Sequence, residues 1–500
     1  MALFIALELL IPALVLVVSL YLYIKYTRSN NPLLPIDWPI VGILPSFIAN
    51  LRNINDYLTA VLAASGCNFK VHGPPGSKTR FFITSDPSNV QHIFTTNHAN
   101  YPKGEEFAEV FDIVNGTILT VDGEACRQQR AKIQSILSNP RMVSLMARCC
   151  HDKVAKGLLP ILARMASTAT TFDMQDLIAR LVFDQTAMPV FGVDPGCLSS
   201  DMPSMRVAAA MNTVMQVALF RYCVSSSFWK AMRWLNIGPE RRLAVAHVVL
   251  HGFVTEMMEK RKAKLLYSNG QHDMEAPNEL LRKTLLNYMI GGRDTIGTSL
   301  PWLFYTLAKN PGVVSSIRNE LAPIASRKAS AVVDSNDPGK NMVVFEPEET
   351  KSLVYLHATL LESLRLYPPG PIERKAVLAD DILPSGHKVH HGEGILISIY
   401  AMGRMERVWG KDCHEYRPER WISEDGTKLV YVPSCKFLAF NSGPRMCLGK
   451  DIAIMQMKTI VASVVWNFDV EVLERQSIKP KLSCLLQMEN RLMARVKKIE

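Results

Sequence analysis

The sequence predicts a mainly α-helical globule with a small β-sheet subdomain, preceded by an N-terminal transmembrane helix, and three observations carry that prediction. Helical periodicity dominates from Val143 to Leu266 and returns in the long segments 285–309 and 450–468. Strand-like runs are few and short, are bounded by Gly and Pro, and gather at residues 69–84 and 371–389. The chain opens on an apolar run, Leu3 to Ile24, whose 22 residues are long enough for a hydrocarbon core of roughly 30 Å.

Composition bounds what these elements build. A length of 500 residues suggests two or more domains, yet no repeat, low-complexity tract or long polar linker divides the chain, so one large catalytic domain is expected over residues 46–500. Hydrophobic residues make up 48%, with 23 Met and 19 Phe, enough for an extensive core and a pocket for an apolar guest. The 10 cysteines show no paired spacing, which fits reduced thiols facing the cytosol. The net charge of +10 is dispersed, with no compact basic run among aromatics; this argues against nucleic acid and for a membrane surface or an acidic protein partner.

Residues 1–24 read as an uncleaved membrane signal-anchor, because they lack a basic leading region and a small-x-small cleavage site. Lys25 and Arg28 follow directly and place the rest of the chain on the cytosolic side. Residues 25–45 form a proline-rich hinge, where Pro32, Pro35, Pro39 and Pro45 favour stiff extended chain. Phe69–His72 and Arg80–Thr84 are expected to pair as a hairpin, and Asp86-Pro87 to start a helix running to about Thr95.

A helix opening at Asp122 carries Arg130, whose plain reading is a solvated charge. Val207 to Phe220 suits either core or a pocket lid. The long helix from Leu285 to Lys309 holds Gly291, Gly292, Gly297 and Pro301, all against helix propensity. Pro301 leaves the Gly297 carbonyl without its helical bond, and a bend near Thr295 would open a groove beside Asp294-Thr295. Lys328 to Glu349 reads as a polar surface loop. Glu362 and Arg365 share a helix face at i and i+3. Pro371–Arg374 and Ala376–Val389 read as strands with turns at Asp380-Asp381 and Ser385-Gly386, and His387, His390 and His391 lie on a solvated edge rather than in a metal site. Leu485–Met488 is expected to form a final hairpin.

The stretch from Phe440 to Gly449 confines Cys447 in a turn and releases the chain into an apolar helix, Lys450 to Phe468. Gly443 and Gly449 permit positive φ and close approach of backbone to a flat ligand, and Arg445 adds a fixed positive charge. At the N-terminus of a helix the thiolate form of Cys447 is favoured. On its own the loop leaves a buried structural thiol open.

Phe440, Gly443, Arg445, Cys447 and Gly449 together resemble the haem-binding loop of the cytochrome P450 monooxygenases. Arg130, Asp294-Thr295, and Glu362 to Arg365 followed by Tyr367-Pro368-Pro369 match further motifs of that family in order. The resemblance implies the cytochrome P450 fold, b-type haem with its iron held by Cys447, and insertion of one atom of dioxygen using NADPH electrons from a separate flavoprotein, cytochrome P450 reductase. Asp294 and Thr295 would be catalytic, managing protons, while Arg130, Arg445 and Arg374 would hold haem propionates and Phe440 and Gly443 would shape the cofactor loop. Glu362 and Arg365 would be buried and, with Arg420, would brace that loop. The segment around Phe107 and Phe111 would roof the substrate pocket. Cys126 stands where the family has tryptophan, Ile296 where it has a hydroxyl residue, and Pro301 is unusual.

Asn100–Gly104, Tyr400–Met405 and Trp409–Cys413 resemble the plant alkane and fatty-acid hydroxylases of cuticular wax synthesis. That branch implies a single-pass protein of the endoplasmic reticulum membrane with a cytosolic catalytic domain, hydroxylating small apolar long-chain substrates. The same branch holds a phenol-coupling oxidase of alkaloid synthesis, which stands as an alternative. A reductase-independent haem-thiolate isomerase or lyase is a third reading; Asp294-Thr295 argues against it, since chemistry without dioxygen activation needs no proton relay.

Overall fold

The computed structural model describes residues 13–24, 34–35, 42–72, 80–269, 279–331 and 342–499. Residues 13–24 are helical and leave Leu14, Val15, Leu16, Val17 and Leu20 exposed. Residues 3–12 of the expected span lie outside the described residues, and among those described no helix is long and apolar enough to cross a membrane. Most of the hinge also lies outside them. At its end Pro45 does not prolong extended chain but sits in the first turn of a short helix, Leu44–Ala49, where its missing N–H is not needed.

Nine strands are present among the described residues: β1 (Asn68–His72), β2 (Arg80–Thr84), β3 (Phe172–Asp173), β4 (Ile372–Ala376), β5 (Asp381–Ile382), β6 (Lys388–Val389), β7 (Gly394–Ser398), β8 (Phe468–Val472) and β9 (Met493–Lys498). The expected hairpin is β1–β2, antiparallel, with Lys70 opposite Phe82. It belongs to a four-stranded sheet in the order β1-β2-β7-β4, with β7 parallel to β2 and antiparallel to β4. Sequence reading misses β7, because Gly-Ile-Leu-Ile-Ser is largely buried on both faces and so lacks alternation. Of the strands expected between Ala376 and Val389 only the two-residue pair β5–β6 forms, around the expected turn at Ser385-Gly386, while Asp381 lies in β5 and not in a turn. The closing hairpin is β8–β9, joined by β3, and Leu485–Met488 contributes only a single bridge from Met488 to Pro480.

The helices that position the site are α1 (Gly123–Leu137), α2 (Pro140–Lys153), α3 (Met174–Phe191), α4 (Arg206–Cys223), α5 (Ser226–Trp234), α6 (Gly238–Asn269), α7 (Glu279–Met289), α8 (Thr295–Lys309), α9 (Pro311–Ala331), α10 (Val354–Leu366) and α11 (Lys450–Asn467). α3 shows how local chemistry sets its limits: the Asp173 side chain accepts from the Gln175 N–H at its start, and Gly192 takes a left-handed φ of 70° at its end. Between α7 and α8 the chain makes one widened, π-helical turn at Ile290–Asp294. Such turns relieve a strained helix and recur at functional sites. The bend expected near Thr295 is therefore this turn, immediately N-terminal to it, while Pro301 stays inside α8 and is buried.

Two apolar clusters divide the helical part. The larger joins Leu177 and Leu181 of α3, Leu300 and Phe304 of α8, Leu360 of α10 and Ile460 and Val461 of α11. The second joins Phe107 and Phe111 to Met211 and Met215 of α4, Leu250 and Met257 of α6, and Met289 of α7. It contains Phe107 and Phe111, the segment expected as roof, and the Val207–Phe220 segment, which the sequence leaves open between core and lid, is largely buried in it against α6.

Candidate functional site

α10 and the segments around it hold a densely bonded, buried polar group. Glu362 and Arg365 side chains are both 0% exposed, with Arg365 Nε 2.7 Å from Glu362 Oε2 and Nη2 2.8 Å from Oε1. Glu362 also accepts from Trp421 Nε1 at 2.9 Å, Arg420 Nε at 3.2 Å and the Arg417 backbone N–H at 2.9 Å. Arg365 donates onward to the carbonyls of Gly403, Cys413 and Glu415. A Cβ at Gly403 would overlap the Arg365 carbonyl, so only glycine lets these segments meet. A buried pair is tolerable only when its remaining lone pairs and protons are satisfied, and here they are.

Trp421 carries this bracing to the cofactor loop through Phe437, whose ring centroid lies 4.8 Å away, and Phe437 in turn meets Phe440 at 6.4 Å. The Phe440 carbonyl accepts the Cys447 N–H at 2.8 Å, closing the loop. Gly443 has φ of +58°, and a Cβ there would overlap the Phe94 carbonyl oxygen, so the loop is seated directly on backbone. Cys447 is solvent-accessible although protein surrounds it, which places its Sγ on an interior surface. Burial pushes its thiol up, while the Gly449 N–H and the Arg130 guanidinium pull it down. The helix end alone therefore does not deprotonate the sulfur; a coordinated metal ion would.

Next to this loop lies a cavity of about 400 Å³ whose charged lining is Arg127, Arg130, Lys375 and Arg445 against Asp122 and Glu124. Four cations against two carboxylates leave an excess that suits a ligand bearing two carboxylates, as haem does. Arg130 Nη2 donates to the Met446 carbonyl at 2.7 Å. Arg445 donates to the carbonyls of Ile118 and Val121 and to Asp122 Oδ1, which ties the loop to the start of α1. Asp122 is lifted by burial, but the N–H groups of Gly104 and Lys103 together with Arg445 hold it below the ordinary carboxylate range. Cys126, standing in for a tryptophan, is buried in the same wall.

One expected site residue is placed elsewhere. Arg374 does not face this cavity; in β4 it lies on the strand face opposite Glu373 and Lys375, and its Nη2 bonds Glu106. The residue that reaches the cavity is its neighbour Lys375, with Nζ 4.7 Å from the Phe94 ring centroid and 3.6 Å from Glu373 Oε1. The pleat explains the exchange, since successive side chains of a strand point to opposite faces. Burial presses the Lys375 ammonium down to about 8, against the pull of Glu373.

In the π-helical turn, Asp294 is 2% exposed and its Oδ1 accepts from Arg293 Nη1 at 2.5 Å, while its Oδ2 has no partner. Burial pushes this carboxyl up, against the pull of Arg293. Arg293 donates also to Asn212 Oδ1 at 3.0 Å, which accepts in turn from Gln487 Nε2 at 3.1 Å. Thr295 Oγ1 donates to the Gly291 carbonyl at 2.7 Å, so the two residues share a turn but no hydrogen bond. Ile296 packs into the larger cluster, where a hydroxyl would have no use.

The roof contains acids, and basic residues hold them. Asp112 Oδ1 accepts from Arg221 Nη1 at 3.1 Å and its Oδ2 from Arg233 Nη2 at 2.6 Å. Glu240 takes Arg221 from the other side, and Glu109 pairs with Lys230 at 2.8 Å.

Comparison with known proteins fits this geometry. Residues 32–495 match the model of the family described as Cytochrome P450. The chain is 37% identical to noroxomaritidine synthase of Narcissus aff. pseudonarcissus MK-2014, over 95% of this chain and 94% of that one. It is 36% identical to cytochrome P450 86B1 of Arabidopsis thaliana, over 91% and 84% of the two chains. To alkane hydroxylase MAH1 of the same plant it is 33% identical, over 96% of each.

Proposed function

The chain belongs to the cytochrome P450 family, and on that premise we propose that it hydroxylates long-chain aliphatic substrates at unactivated carbons. Like its family it is a haem-thiolate monooxygenase that takes electrons from NADPH through a reductase. The observation that carries the aliphatic reading is the roof: it is lined by Phe107, Phe111, Met211, Met215 and Met289, and the carboxylates Glu106, Glu109 and Asp112 beside it are held by Arg374, Lys230, Arg221 and Arg233. An alkaloid amine therefore finds no free carboxylate among them, whereas thioether side chains adapt to a flexible chain.

Bound haem supplies the activation of dioxygen at its iron. Cys447 is the residue to ligate that iron, with the Gly449 N–H turned to its sulfur. Arg130, Arg445 and Lys375, which line the cavity, would pair the two carboxylates of haem, and Phe440 and Gly443 would set how closely the loop approaches it. Asp294, whose burial favours the protonated form, gives and retakes a proton at its unpartnered Oδ2, and the hydroxyl of the neighbouring Thr295 passes it on. Residues 1–24 anchor the protein in the endoplasmic reticulum membrane, with residues 25–45 as hinge and residues 46–500 as the cytosolic catalytic domain.

The similarity to noroxomaritidine synthase favours a second reading, a phenol-coupling oxidase. Membranes containing the full chain and a plant reductase, given alkanes, fatty acids and phenolic amines in parallel, separate the two. Oxygenated aliphatic products that require NADPH are expected, and turnover of the phenolic amine alone would establish the second reading. Cys447→Ser is expected to abolish the thiolate-type Soret band of the reduced, carbon monoxide-bound protein.

A further inference from the structure

Turned away from the haem side, Arg374 lies in a polar cluster that oxygen chemistry does not use. Its side chain is 13% exposed, with the guanidinium 5.4 Å from the Phe81 ring centroid and 5.2 Å from that of Tyr222. Nη2 bonds Glu106, whose side chain is 57% exposed. Arg374 Nε and Nη1 are buried without a hydrogen-bond partner, and so is Tyr222 Oη. A guanidinium presents five N–H donors and accepts nothing. Leaving buried donors unpaired costs free energy. The cluster is thus rich in donors and short of acceptors.

Its position decides which acceptor fits. Glu106 immediately precedes Phe107, and Phe107, Phe111, Tyr222, Cys484 and Leu485 all meet one apolar cluster with Met211, Met215 and Met289. Ile290, the first residue of the π-helical turn, packs against that same cluster. A continuous run of packed apolar, methionine-rich side chains, which a guest would have to part, therefore connects the donors at Arg374 to the turn that carries Asp294 and precedes Thr295. A guest matching this path has an acceptor at one end and a long apolar body.

We infer that Arg374 and Tyr222 bind the carboxylate of a long-chain acid, taken up in exchange for Glu106, so that the remote end of the chain reaches the Thr295 side. The inference rests on the aliphatic reading above and narrows it from alkanes and acids together to acids. An alkane leaves the donors unpaired, and an amine meets a like charge. Glu106 can yield because it is largely solvated, so its pairing with Arg374 is screened, whereas a carboxylate reaching Nε, Nη1 and Tyr222 Oη makes charge-assisted bonds away from water. The phenol of Tyr222 is pushed up by burial and stays a donor at neutral pH.

The test titrates the haem-loaded full-length protein in membranes with a sixteen-carbon fatty acid, its methyl ester, the matching alkane and a phenolic amine, reading the ligand-induced shift of the Soret band. The acid is expected to bind at least about tenfold more tightly than its ester, the size of one charge-assisted hydrogen bond. Arg374→Gln should bring that ratio close to one, and Arg374→Lys should keep part of it. Glu106→Gln, at an exposed position that the fold does not depend on, should raise the ratio by removing the competing carboxylate. Equal affinity for acid and ester, or a ratio unmoved by Glu106→Gln, overturns the inference while leaving an aliphatic substrate in place. A shift with the phenolic amine alone overturns the aliphatic reading itself.

Discussion

The wall behind Cys447 and the roof above α8 are built on opposite plans. In the wall every polar group of the Glu362–Arg365 pair is satisfied, its segments approach so closely that Gly403 and Gly443 admit no side chain, and aromatic rings carry the bracing into the cofactor loop. In the roof, buried Arg221 holds Glu240 and Asp112 while half-exposed Arg233 and Lys230 hold the rim, methionines fill the space, and donors at Arg374 and Tyr222 go unpaired. A reaction centre that must hold one geometry is over-determined, and a surface that must accept a guest keeps slack and unused bonding capacity.

The sharpest way to break this contrast is to remove one member of the wall. Arg365→Met leaves Glu362 as a buried charge short of its main partner, and a loss of about 3–5 kcal/mol in unfolding free energy is expected from urea titration. Retention of haem should fall with it. A stability loss below about 1 kcal/mol would mean that the bonded network is not what fixes the wall.

The cavity between the two regions gives an intermediate effect with a sign that depends on pH. Burial depresses Lys375 from 10.5 to about 8, so the folded protein holds this proton less tightly than the unfolded chain does. Below pH 8 both states carry the charge and the penalty is full; stability of the haem-free protein then rises as the folded lysine deprotonates, up to about the unfolded pKa. Lys375→Met should remove that rise, leaving the stability of the haem-free variant level between about pH 8 and 10.5, with Lys103 still facing Glu373. Haem binding should weaken in the same variant, since a cation facing the carboxylates is gone. Parallel thermal melts across pH, with and without haem, check both signs.

At the other extreme is the exposed pair Lys230–Glu109 on the roof, with side chains 50% and 47% exposed. Glu109→Gln is expected to change unfolding free energy by less than about 0.5 kcal/mol. A larger loss there would erase the distinction between braced wall and yielding roof.

How much of this the sequence discloses follows the same division. The wall is legible because its residues are near one another in the chain or sit at rigid offsets: Glu362 with Arg365 on one helix face, Cys447 between two glycines, Asp294 beside Thr295. Helix limits are legible where a capping side chain marks them, as at Asp86. What fails is whatever depends on which way a strand faces. The resemblance carries the propionate role to Arg374 by residue type, yet the pleat decides which side chain faces the cavity, and Lys375 is one residue away. β7 escapes because a strand buried on both faces has no period to detect, and the roof's ion pairs join residues too distant in the chain for spacing to reveal.

The seating of Gly443 on the Phe94 carbonyl has a consequence for the order of events during synthesis. The two residues are 349 positions apart, so the loop that offers Cys447 meets its support only when nearly the whole polypeptide has been made. Closing so long a loop late costs little more entropy than closing one half its length, because that cost grows only with the logarithm of length. The chain's first-made hundred residues thus wait, partly folded, for its last-made hundred. The cofactor loop thus gains its seat only with the last-made part of the chain, so a complete haem site cannot form on the first-made segments alone.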